Sequence, residues 1–544
     1  MGGLGEIGLN MMVFEYGETV ILIDAGLMFP EDDMLGIDIV IPDFSYLQKK
    51  RGQIEALIVT HGHEDHIGAI PFLLREFDIP IYATPLTLAL IREKLKEHGL
   101  LSRTVLHEVL PRDQIVVGPF QIEFIHVCHS IPDGVALAIR TPSGTVVHSG
   151  DFKIDNTPVD GQRLDMARFG VYGEEGVLAL LSDSTNVERQ GYTLSEMKVG
   201  STLREIFQHC TGRIIVAVFA SNLHRIQQVI ELAREFDRKV LLNGRSMVVN
   251  IRIAKELGYL EFPPEEEMSL QELARMPDSK VLMLTTGSQG EPMSALSRMA
   301  FNDHKKLKIK PGDTIVLSSK FIPGNERTIQ HIINHLYRQG AEVIHEQVRD
   351  IHASGHASRE ELKAMINLVR PRYFIPIHGE FRHLVKHRQL AMGMGIPSEH
   401  CPLVEDGCVV VLRPDGVTVE GHVETGRVLV DGKGVGDVEG LVLRDRRHLA
   451  EDGLVIASLV INKETGEVLS GPDIFTRGFI HEESKPEVLD AAKCIVFEIL
   501  DRLLEEDFEV DCAGLQTEIR RELKRFFNRT LERRPVIYPI VVDI

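Results

Sequence analysis

The stretch that decides the fold is Ala56-Leu57-Ile58-Val59-Thr60, which runs directly into His61-Gly62-His63-Glu64-Asp65-His66. The first five residues form an apolar run that predicts a buried strand. His61 and His63 are two residues apart at the end of this strand, so both point to the same side. Asp65 and His66 begin a predicted helix and can face a second ion. Three imidazoles and a carboxylate in six residues predict a metal site instead of a solvated loop.

Further ligand candidates also follow predicted strands. His129 comes after residues 121–127, Asp151 after 145–148 and His378 after 373–377. A carboxylate can bridge two ions, so these residues and the first cluster together predict a dinuclear site. Asp24, after residues 19–23, is either another ligand or a partner that fixes an imidazole tautomer. Two histidines inside predicted strands, His126 and His148, are expected to be core residues or to lie behind the ligands.

The pattern of predicted helices and strands changes along the chain, and these changes predict domain boundaries. Residues 1–194 and 352–425 combine short strands with helices in a layered α/β pattern. Between them, residues 195–351 alternate strictly between helix and strand, which predicts a doubly wound parallel sheet. A Gly-rich stretch at 426–440 predicts a linker, with a docking loop as the alternative, and residues 441–544 predict a small α+β domain.

Hydrophobic periodicity gives the bounds of the individual elements. The first region is predicted to contain strands at 11–16, 19–23, 56–60, 121–127, 135–140 and 145–148, and helices at 67–77 and 87–98. The alternating region is predicted to contain helices at 203–210, 225–236, 246–257 and 326–339, and strands at 213–219, 239–242, 280–285, 314–318 and 342–346. The last domain is predicted to contain strands at 454–461, 468–470 and 536–543, and helices at 485–505 and 512–530.

The composition is that of a globular protein. The 544 residues carry 60 basic and 80 acidic side chains, a net charge of −20, with 43% hydrophobic residues. These values exclude a disordered or collagen-like chain. A chain this acidic cannot bind nucleic acid through a generally basic surface. Any polyanion that it binds must contact a local positive patch or metal ions.

The six cysteines are widely spaced and form no C-x-x-C pair, which favours a reducing compartment over a disulfide framework. No apolar run approaches the length of a membrane span, and no signal peptide is visible. The sequence therefore predicts a cytoplasmic protein that does not associate with a membrane.

A glycine-rich motif near the start, Gly3-Leu4-Gly5-Glu6-Ile7-Gly8, matches the G-x-G-x-x-G pattern of dinucleotide sites. Its context does not fit, because that fingerprint follows a strand and opens a helix, whereas residues 10–16 look like a strand. The favoured interpretation is a turn that packs closely under a neighbouring site.

These residues resemble a known superfamily. Asp24, the His61-to-His66 cluster, His129 and Asp151 follow the order of the metallo-β-lactamase superfamily, whose fold is an αββα sandwich with metals at the strand ends. Three later segments resemble motifs A, B and C of the β-CASP nucleases, in particular the bacterial ribonuclease J family: Leu181-Ser182-Asp183-Ser184-Thr185-Asn186, Ala353-Ser354-Gly355-His356-Ala357-Ser358 and Pro376-Ile377-His378-Gly379-Glu380. The resemblance implies an αββα sandwich with an inserted doubly wound β-CASP domain and a small C-terminal α+β domain.

The resemblance also implies roles for individual residues. His61, His63, His129 and Asp151 would bind one divalent ion, and Asp65, His66, Asp151 and His378 the other. With only nitrogen and oxygen ligands, zinc is expected and manganese is the alternative. His356 would contact the scissile phosphate and protonate the leaving oxygen, with Asp183 orienting it. The loop His352, Ala353, Ser354, Gly355 and His356 would bind substrate phosphate.

A second turn, with Ser221, Asn222 and His224, resembles another phosphate contact, although simple helix capping by Ser221 or Asn222 explains it equally well. The family implies 5′-to-3′ exonuclease and endonuclease activity in RNA maturation, such as rRNA processing, and in mRNA decay, with 5′-monophosphorylated RNA favoured. It also implies dimers or tetramers and a possible RNA-degradation complex.

Two other classes are weighed against this hypothesis. A small-molecule hydrolase of the same superfamily explains the first metal cluster but neither the inserted domain nor the segment Ser354–Ser358. A non-catalytic scaffold predicts eroded ligands, and none of the expected ligands is missing from the sequence.

Overall fold

The structure is a computed structural model that describes residues 1–31, 33–289, 291, 293–321, 325–432, 434–436, 438, 440–462, 465, 467–480, 486–505 and 512–544. Two compact units are distinguished. The first contains Met1–Phe29 and Ile39–Val428, and the second Pro30–Asp38 and Leu429–Ile544. No helix in the described ranges has the length and apolar character that a bilayer crossing requires.

Two mixed sheets form the sandwich of the first unit. One sheet has the strand order Met12–Tyr16, Thr19–Ile23, Ile54–Ile58, Ile81–Ala83 and Leu106–Glu108. The other has the order Tyr373–Ile377, Ala179–Asp183, Gly144–His148, Val135–Thr141, Phe120–His126 and Gln114–Val117. The strand Tyr373–Ile377, far along the chain, thus pairs in parallel with Ala179–Asp183 and completes the second sheet after the insertion.

The two sheets bury alternate residues against each other. Ile21, Ile23 and Ile58 of the first sheet share a core with Phe124 and Leu137 of the second. On the opposite face of the second sheet, apolar side chains pack in a core that includes residues of the helices Met166–Glu175 and Arg359–Val369. The remaining helices of this sandwich are Ser45–Gln48, Glu64–Ile67, Ile70–Glu76, Pro85–Glu97 and Phe381–Gly393. The layers are therefore those of an αββα sandwich.

The inserted domain is built on a fully parallel sheet. Its strand order is Lys239–Asn243, Val281–Thr285, Ile214–Ala217, Thr314–Leu317 and Glu342–Ile344. Its helices are Glu196–His209, Leu223–Glu235, Arg245–Glu256, Leu270–Leu273, Ala295–Ala300 and Glu326–Arg338. Strands such as Ile214–Ala217 and Val281–Thr285 are buried along their whole length, as expected for a parallel sheet covered on both faces.

The second unit contains a three-stranded sheet in the order Val468–Arg477, Leu454–Ile461 and Val536–Asp543. Leu454–Ile461 alternates between half-buried and buried residues, and its buried face packs on the helices Pro486–Glu505 and Cys512–Leu531. The helix Gly440–Asp452 precedes the first strand.

Several predicted bounds differ from the structure. The strand predicted at 56–60 is Ile54–Ile58, so two residues of irregular chain, Val59 and Thr60, precede the first ligand candidate. The helix predicted at 67–77 divides into Glu64–Ile67 and Ile70–Glu76, and the helix predicted at 203–210 already begins at Glu196, where Ser195 caps it. Lys485, the predicted start of a late helix, lies outside the described residues.

The stretch predicted as a linker, 426–440, contains regular structure. The strands Arg427–Asp431 and Gly434–Val435 form a short antiparallel hairpin through the pairs Val430–Val435 and Asp431–Gly434. The glycine content that suggested a flexible linker belongs in part to the turn of this hairpin, where Gly432 has a φ of 58°. The following helix, Gly440–Asp452, was not predicted.

Candidate metal centre

The ends of strands from both sheets of the sandwich meet at one place. The chain after Ile54–Ile58 brings His61 and His63 there, and the short helix Glu64–Ile67 brings Asp65 and His66. From the second sheet, the chain delivers one further residue after each of three strands: His129 after Phe120–His126, Asp151 after Gly144–His148 and His378 after Tyr373–Ile377. All seven predicted metal ligands are therefore brought together.

The first group of ligand atoms consists of His61, His63 and His129, whose ligand nitrogens all lie within 4.8 Å of one another. His63 Nδ1 is 3.1 Å from His61 Nε2 and 3.0 Å from His129 Nε2. Asp151 Oδ2 borders the group, at 3.7 Å from His61 Nε2 and 3.9 Å from His129 Nε2.

The second group consists of Asp65, His66, Asp151 and His378, again within 4.8 Å. Asp151 Oδ2 lies 3.3 Å from His66 Nε2 and 3.1 Å from His378 Nε2. Asp65 Oδ2 is 3.6 Å from the same two nitrogens. Because one oxygen of Asp151 borders both groups, its carboxylate stands where a bridging ligand would be needed.

Hydrogen bonds behind the rings fix which nitrogen faces the centre. His129 Nδ1 donates to the Gly355 carbonyl at 2.8 Å, and His66 Nδ1 contacts Asp24 Oδ2 at 2.8 Å. Asp24 Oδ2 also accepts from Thr60 Oγ1, whose oxygen is 3.1 Å from His61 Nδ1. Three Nε2 atoms are thereby turned toward the ligand groups, and Asp24 acts from behind them.

Burial and neighbouring carboxylates set the charge of these rings. Burial lowers the pKa of His61 and His129 well below the usual value, and the pKa of His63 to about 4. Burial also opposes charge on His66, but Asp151, Asp65 and Asp24 raise its pKa well above the usual value. For Asp151, burial opposes ionisation, but His378 and His66 hold its pKa well below the usual value.

The first group fits a divalent cation. His61 and His129 each turn a nitrogen lone pair toward the same atom, His63 Nδ1. A single N–H on His63 Nδ1 can donate to only one of these two nitrogens. The other imidazole therefore keeps a buried lone pair without a donor, and a cation would satisfy it. In the second group, the Asp65 and Asp151 carboxylates supply negative charge beside the Nε2 atoms of His66 and His378. The donor set of nitrogen and oxygen suits zinc or manganese.

His356 and Asp183 form a pair beside this centre. His356 Nδ1 is 2.8 Å from Asp183 Oδ2, and the His356 ring lies 5.0 Å from the His129 ring. Burial opposes charge on His356, but Asp183 raises its pKa to about 9. His356 also joins His129 and Asp151 in a third group of possible ligand atoms. The residue predicted as a proton donor is thus placed at the edge of the predicted metal site.

The predicted substrate loop, 352–356, is fixed to several elements. Asn186 Nδ2 donates to Ser354 Oγ at 2.7 Å and to the His356 carbonyl at 2.9 Å. His352 has its pKa lowered to about 3, mainly by burial, and Ala353 is buried. A Cβ atom on Gly355 would lie 2.5 Å from His129 Cε1, so this position requires glycine while the ring keeps its place.

The turn with Ser221, Asn222 and His224 has contacts of its own. Asn222 caps the helix Leu223–Glu235 by accepting from Arg225 N at 3.1 Å, and His224 Nε2 lies 3.2 Å from Asp160 Oδ2. Arg225 Nη1 donates to the Ile351 carbonyl at 2.7 Å, which ties the turn to the start of the substrate loop. The capping role expected as the alternative for Asn222 is therefore present.

Some residues of the site were missed by sequence reasoning. Arg225 is fully buried and holds the substrate loop, and Glu361 accepts from Ile154 N, Thr193 N and Ser358 N. Asn10 places its amide beside Asp65 and His66. A buried arginine or glutamate has no sequence signal that separates it from a surface one. The two strand histidines, His126 and His148, stay outside the three ligand groups.

Family comparisons cover most of the chain. Residues 4–181 match the metallo-beta-lactamase superfamily, and residues 340–401 match a family described as the Zn-dependent metallo-hydrolase RNA specificity domain. Residues 211–336 match the ribonuclease J beta-CASP domain, and residues 441–544 the ribonuclease J C-terminal domain.

Individual relatives match over the full length. The chain is 44% identical to ribonuclease J 1 of Streptococcus pyogenes serotype M3, covering 100% of this chain and 96% of that one. It is 42% identical to ribonuclease J2 of Bacillus subtilis, covering 100% and 98%, and 43% identical to ribonuclease J of Thermus thermophilus, covering 100% and 94%. A crystal structure of a protein of unknown function from Enterococcus faecalis shares the fold, with a TM-score of 0.53, 16% identity and coverage of 77% of this chain and 98% of that one.

Proposed function

Since the chain belongs to the ribonuclease J family and is a metal-dependent ribonuclease, we propose that the seven-residue His/Asp centre is its active site, cleaving RNA from the 5′ end and internally. The biological roles that we propose are RNA maturation and mRNA decay. The observation that carries the proposal is the convergence of three overlapping groups of ligand atoms, each within 4.8 Å, beside the His356–Asp183 pair.

Two divalent ions per chain are part of the proposal. His61, His63, His129 and Asp151 would hold one ion, and Asp65, His66, Asp151 and His378 the other. We propose zinc, with manganese as the alternative, because the ligand atoms are nitrogen and oxygen. When bound, the ions would supply Lewis acidity and neutralise the charge that develops on the phosphate. Support comes from the shared position of Asp151 Oδ2, 3.7 Å from His61 Nε2 and 3.1 Å from His378 Nε2.

The chain's own residues orient the groups and move a proton. Asp183 holds the His356 ring through Nδ1, which leaves Nε2 to carry a proton to the leaving oxygen. The Gly355 carbonyl accepts a hydrogen bond from the His129 ring. This bond fixes the position of the loop that would bind phosphate relative to His129, a proposed metal ligand. The same loop would exclude water from the reacting phosphate, since Ala353, Ser354 and Ala357 are buried.

The proposed preference for a 5′-monophosphate rests on the loop 352–356 and the neighbouring turn. Arg225 connects the two by donating to the Ile351 carbonyl, so Ser221 and His224 lie on the element that supports the loop. Asn222 already caps its helix and His224 contacts Asp160, which makes Ser221 the better candidate for phosphate contact and leaves His224 to bind phosphate only by exchanging its partner.

The decisive experiment incubates metal-loaded protein with labelled RNA. Wild-type protein is expected to cleave, and His63→Ala is expected to lose at least about 10³-fold in rate, because several kcal/mol of charge stabilisation depend on the ions. His331→Ala, an exposed histidine of the inserted domain, is the matched control and should cleave normally. Undiminished cleavage by His63→Ala would remove the proposed active site.

Two substrates separate the proposed activities. A circular RNA has no 5′ end, so its cleavage reports endonuclease activity alone. A linear RNA with a 5′-monophosphate should release mononucleotides progressively, faster than the same RNA with a 5′-hydroxyl. Equal rates on the two linear substrates would contradict the proposed recognition of the terminal phosphate.

We also propose that chains associate as dimers or tetramers through the C-terminal domain and take part in an RNA-degradation complex. The outer face of its three-stranded sheet leaves large apolar side chains exposed, including Phe475 at 54% and Tyr538 at 59%. Burial of such a patch favours association. Sedimentation of the full chain beside Phe475→Glu tests this: a smaller species is expected for the variant, and an unchanged mass would contradict the role of this face.

Two further proposals concern the cellular compartment and the domain boundaries. A ribonuclease that acts on transcripts would work in the cytoplasm. The proposed domains are 1–194 with 352–425, 195–351 and 441–544, with 426–440 connecting residue 425 to the last domain. The family matches at 211–336 and 441–544 lie within these bounds and support them.

A further inference from the structure

The glycine-rich motif at the start of the chain has no place in the proposed reaction so far. Its strand Leu4–Gly5 pairs in parallel with Gly379–Glu380, immediately after His378. The Gly3 carbonyl accepts from Gly379 N at 3.4 Å. The motif therefore lies against the second ligand group, and Asn10, two positions after its last glycine, is almost completely buried there, with 8% exposure.

The Asn10 side chain contacts two residues of that group. Its Nδ2 donates to the Asp65 carbonyl at 3.1 Å and to Asp65 Oδ2 at 3.4 Å. The same nitrogen is 3.1 Å from His66 Nε2. The main chain repeats the connection, because Asn10 N also donates to the Asp65 carbonyl, at 3.1 Å. Asn10 is thus attached to Asp65 through both its main chain and its amide.

The glycine turn holds this amide in place. Gly3 has a φ of 88°, and a Cβ atom there would lie 2.4 Å from Asn10 Oδ1. The glycine therefore allows the turn to close directly over the amide oxygen, which leaves Nδ2 pointing at the ligand group. Gly26 N fixes the other side by donating to the Asn10 carbonyl at 3.0 Å.

Asp65 is the member of the second group that most needs support. Its side chain is 32% exposed, against 3% for His66 and 4% for His378. His66 is held by Asp24, and Asp151 is enclosed by imidazoles, whereas the Asp65 carboxylate faces solvent. An exposed carboxylate loses more conformational freedom when it becomes a ligand, and a fixed donor beside it reduces that cost.

We propose that Asn10 is a positioning residue for the second ion, because its amide orients the Asp65 carboxylate as the glycine turn closes over it. This inference rests on the proposed function, because it assigns a role at the same centre. It also explains the first glycine of the motif, because Gly3 packs closely on an amide at the proposed metal site.

Metal titration of the purified chain, without RNA, tests the role. At a free zinc concentration that gives wild-type protein two ions per chain, Asn10→Ala is expected to retain about one. The apparent affinity for the second ion should fall about 10-fold to 100-fold, the range found when the partner of a metal ligand is removed. The affinity for the first ion should not change. Unchanged affinity for both ions would overturn the inference.

Two further variants separate positioning from misfolding. Gly3→Ala leaves Asn10 in place but pushes on its amide oxygen, so it should lower the second affinity in the same direction. Asn10→Ser keeps a donor on a shorter side chain and should restore part of the affinity. Gln339→Ala removes an amide that donates to the Ala300 and Met299 carbonyls in the inserted domain, and should bind two ions as wild type does.

The unfolding midpoint of each metal-free variant completes the test. Asn10→Ala is expected to lower the midpoint no more than Gln339→Ala, while only the former loses the second ion. Equal losses of metal in both variants would assign Asn10 a purely structural role and overturn the inference. A wild-type chain that binds two ions but does not cleave RNA would instead contradict the proposed function.

Discussion

Two buried polar clusters lie close together in the first unit, and they are built on opposite principles. The metal centre contains five imidazoles and two carboxylates: His61, His63, His66, His129, His378, Asp65 and Asp151. The second cluster, here the Glu196 network, contains Glu196, Asp155, Arg225 and Lys153. Most of these side chains are buried, although that of Asp65 is 32% exposed, and only the second cluster balances its carboxylates with lysine and arginine.

The Glu196 network pairs every charge. Arg225 Nη2 is 2.5 Å from Glu196 Oε2, and Lys153 Nζ lies 3.5 Å from Glu196 Oε1 and 3.6 Å from Asp155 Oδ2. Two cations therefore meet two anions. The metal centre instead directs imidazole nitrogens and carboxylates at one another, and no lysine or arginine among the described residues forms an ion pair with Asp65 or Asp151. The difference teaches that a buried cluster whose internal cations are protonated imidazoles can exchange those protons for an external cation, whereas a network of lysine and arginine does not offer that exchange.

Removing the shared ligand should have the largest effect. Asp151→Asn keeps the shape but removes the negative charge between the two ligand groups. We expect RNA cleavage to fall at least about 10³-fold and metal content to fall below that of wild type. Asp237→Asn, at an exposed carboxylate, is the matched control. A fully active Asp151→Asn would mean that the centre does not need an external cation.

Breaking the Glu196 network should affect stability and leave the ions in place. Glu196→Ala leaves Arg225 and Lys153 buried without their partner, which is expected to lower the free energy of unfolding by about 3–5 kcal/mol. Chemical denaturation measures this, and metal analysis at low temperature should still find the wild-type content. Loss of metal together with stability would show that the two clusters are one.

The same network predicts a dependence of stability on pH. Burial opposes ionisation of Glu196, but Arg225 and Lys153 hold its pKa at about 2, against 4.5 in the unfolded chain. A lowered carboxyl pKa stabilises the fold above the unfolded value, and this contribution is lost as the pH falls from about 4.5 toward 2. The difference between wild type and Glu196→Gln should shrink by on the order of 3 kcal/mol over that range. A constant difference in denaturation experiments would contradict the pairing.

A smaller effect is expected where the substrate loop meets the metal centre. Gly355→Ala places a Cβ atom 2.5 Å from the His129 ring, so the loop or the ring must move. We expect a loss of about 10-fold to 100-fold in cleavage, since the carbonyl that orients a ligand is displaced. Gly170→Ala, in a helix with open space around it, should leave the rate unchanged. Normal activity of Gly355→Ala would separate the loop from the centre.

The smallest effect concerns the turn before Leu223–Glu235. Asn222→Ala removes a helix cap and is expected to cost about 1 kcal/mol of stability. Because its amide oxygen is already used, the ratio of rates on 5′-monophosphate and 5′-hydroxyl RNA should not change. A lost preference for the monophosphate would assign Asn222 to phosphate binding after all.

The two clusters also differ in how well they could be predicted from the sequence. The ligand candidates were recognisable because His61 to His66 are contiguous, and because His129, Asp151 and His378 each follow an apolar strand. The Glu196 network was not recognisable: Arg225 meets the carbonyl of Ile351, 126 positions away, and each of its charged residues looks like a surface residue in isolation. Asn10 was missed for the same reason, since its partners Asp65 and His66 are 55 and 56 positions away.

The path of the chain through the metal centre has a consequence for biosynthesis. His61 and His378 are separated by 317 positions, and the strand that carries His378 pairs with Ala179–Asp183 only after the whole inserted domain has been made. At about 5–20 residues per second, a ribosome needs roughly 15–60 s to pass from one to the other. During that interval the emerging chain lacks a complete second ligand group. With this centre as the proposed active site, the nuclease would therefore stay inert until the segment that contains His378 has been made.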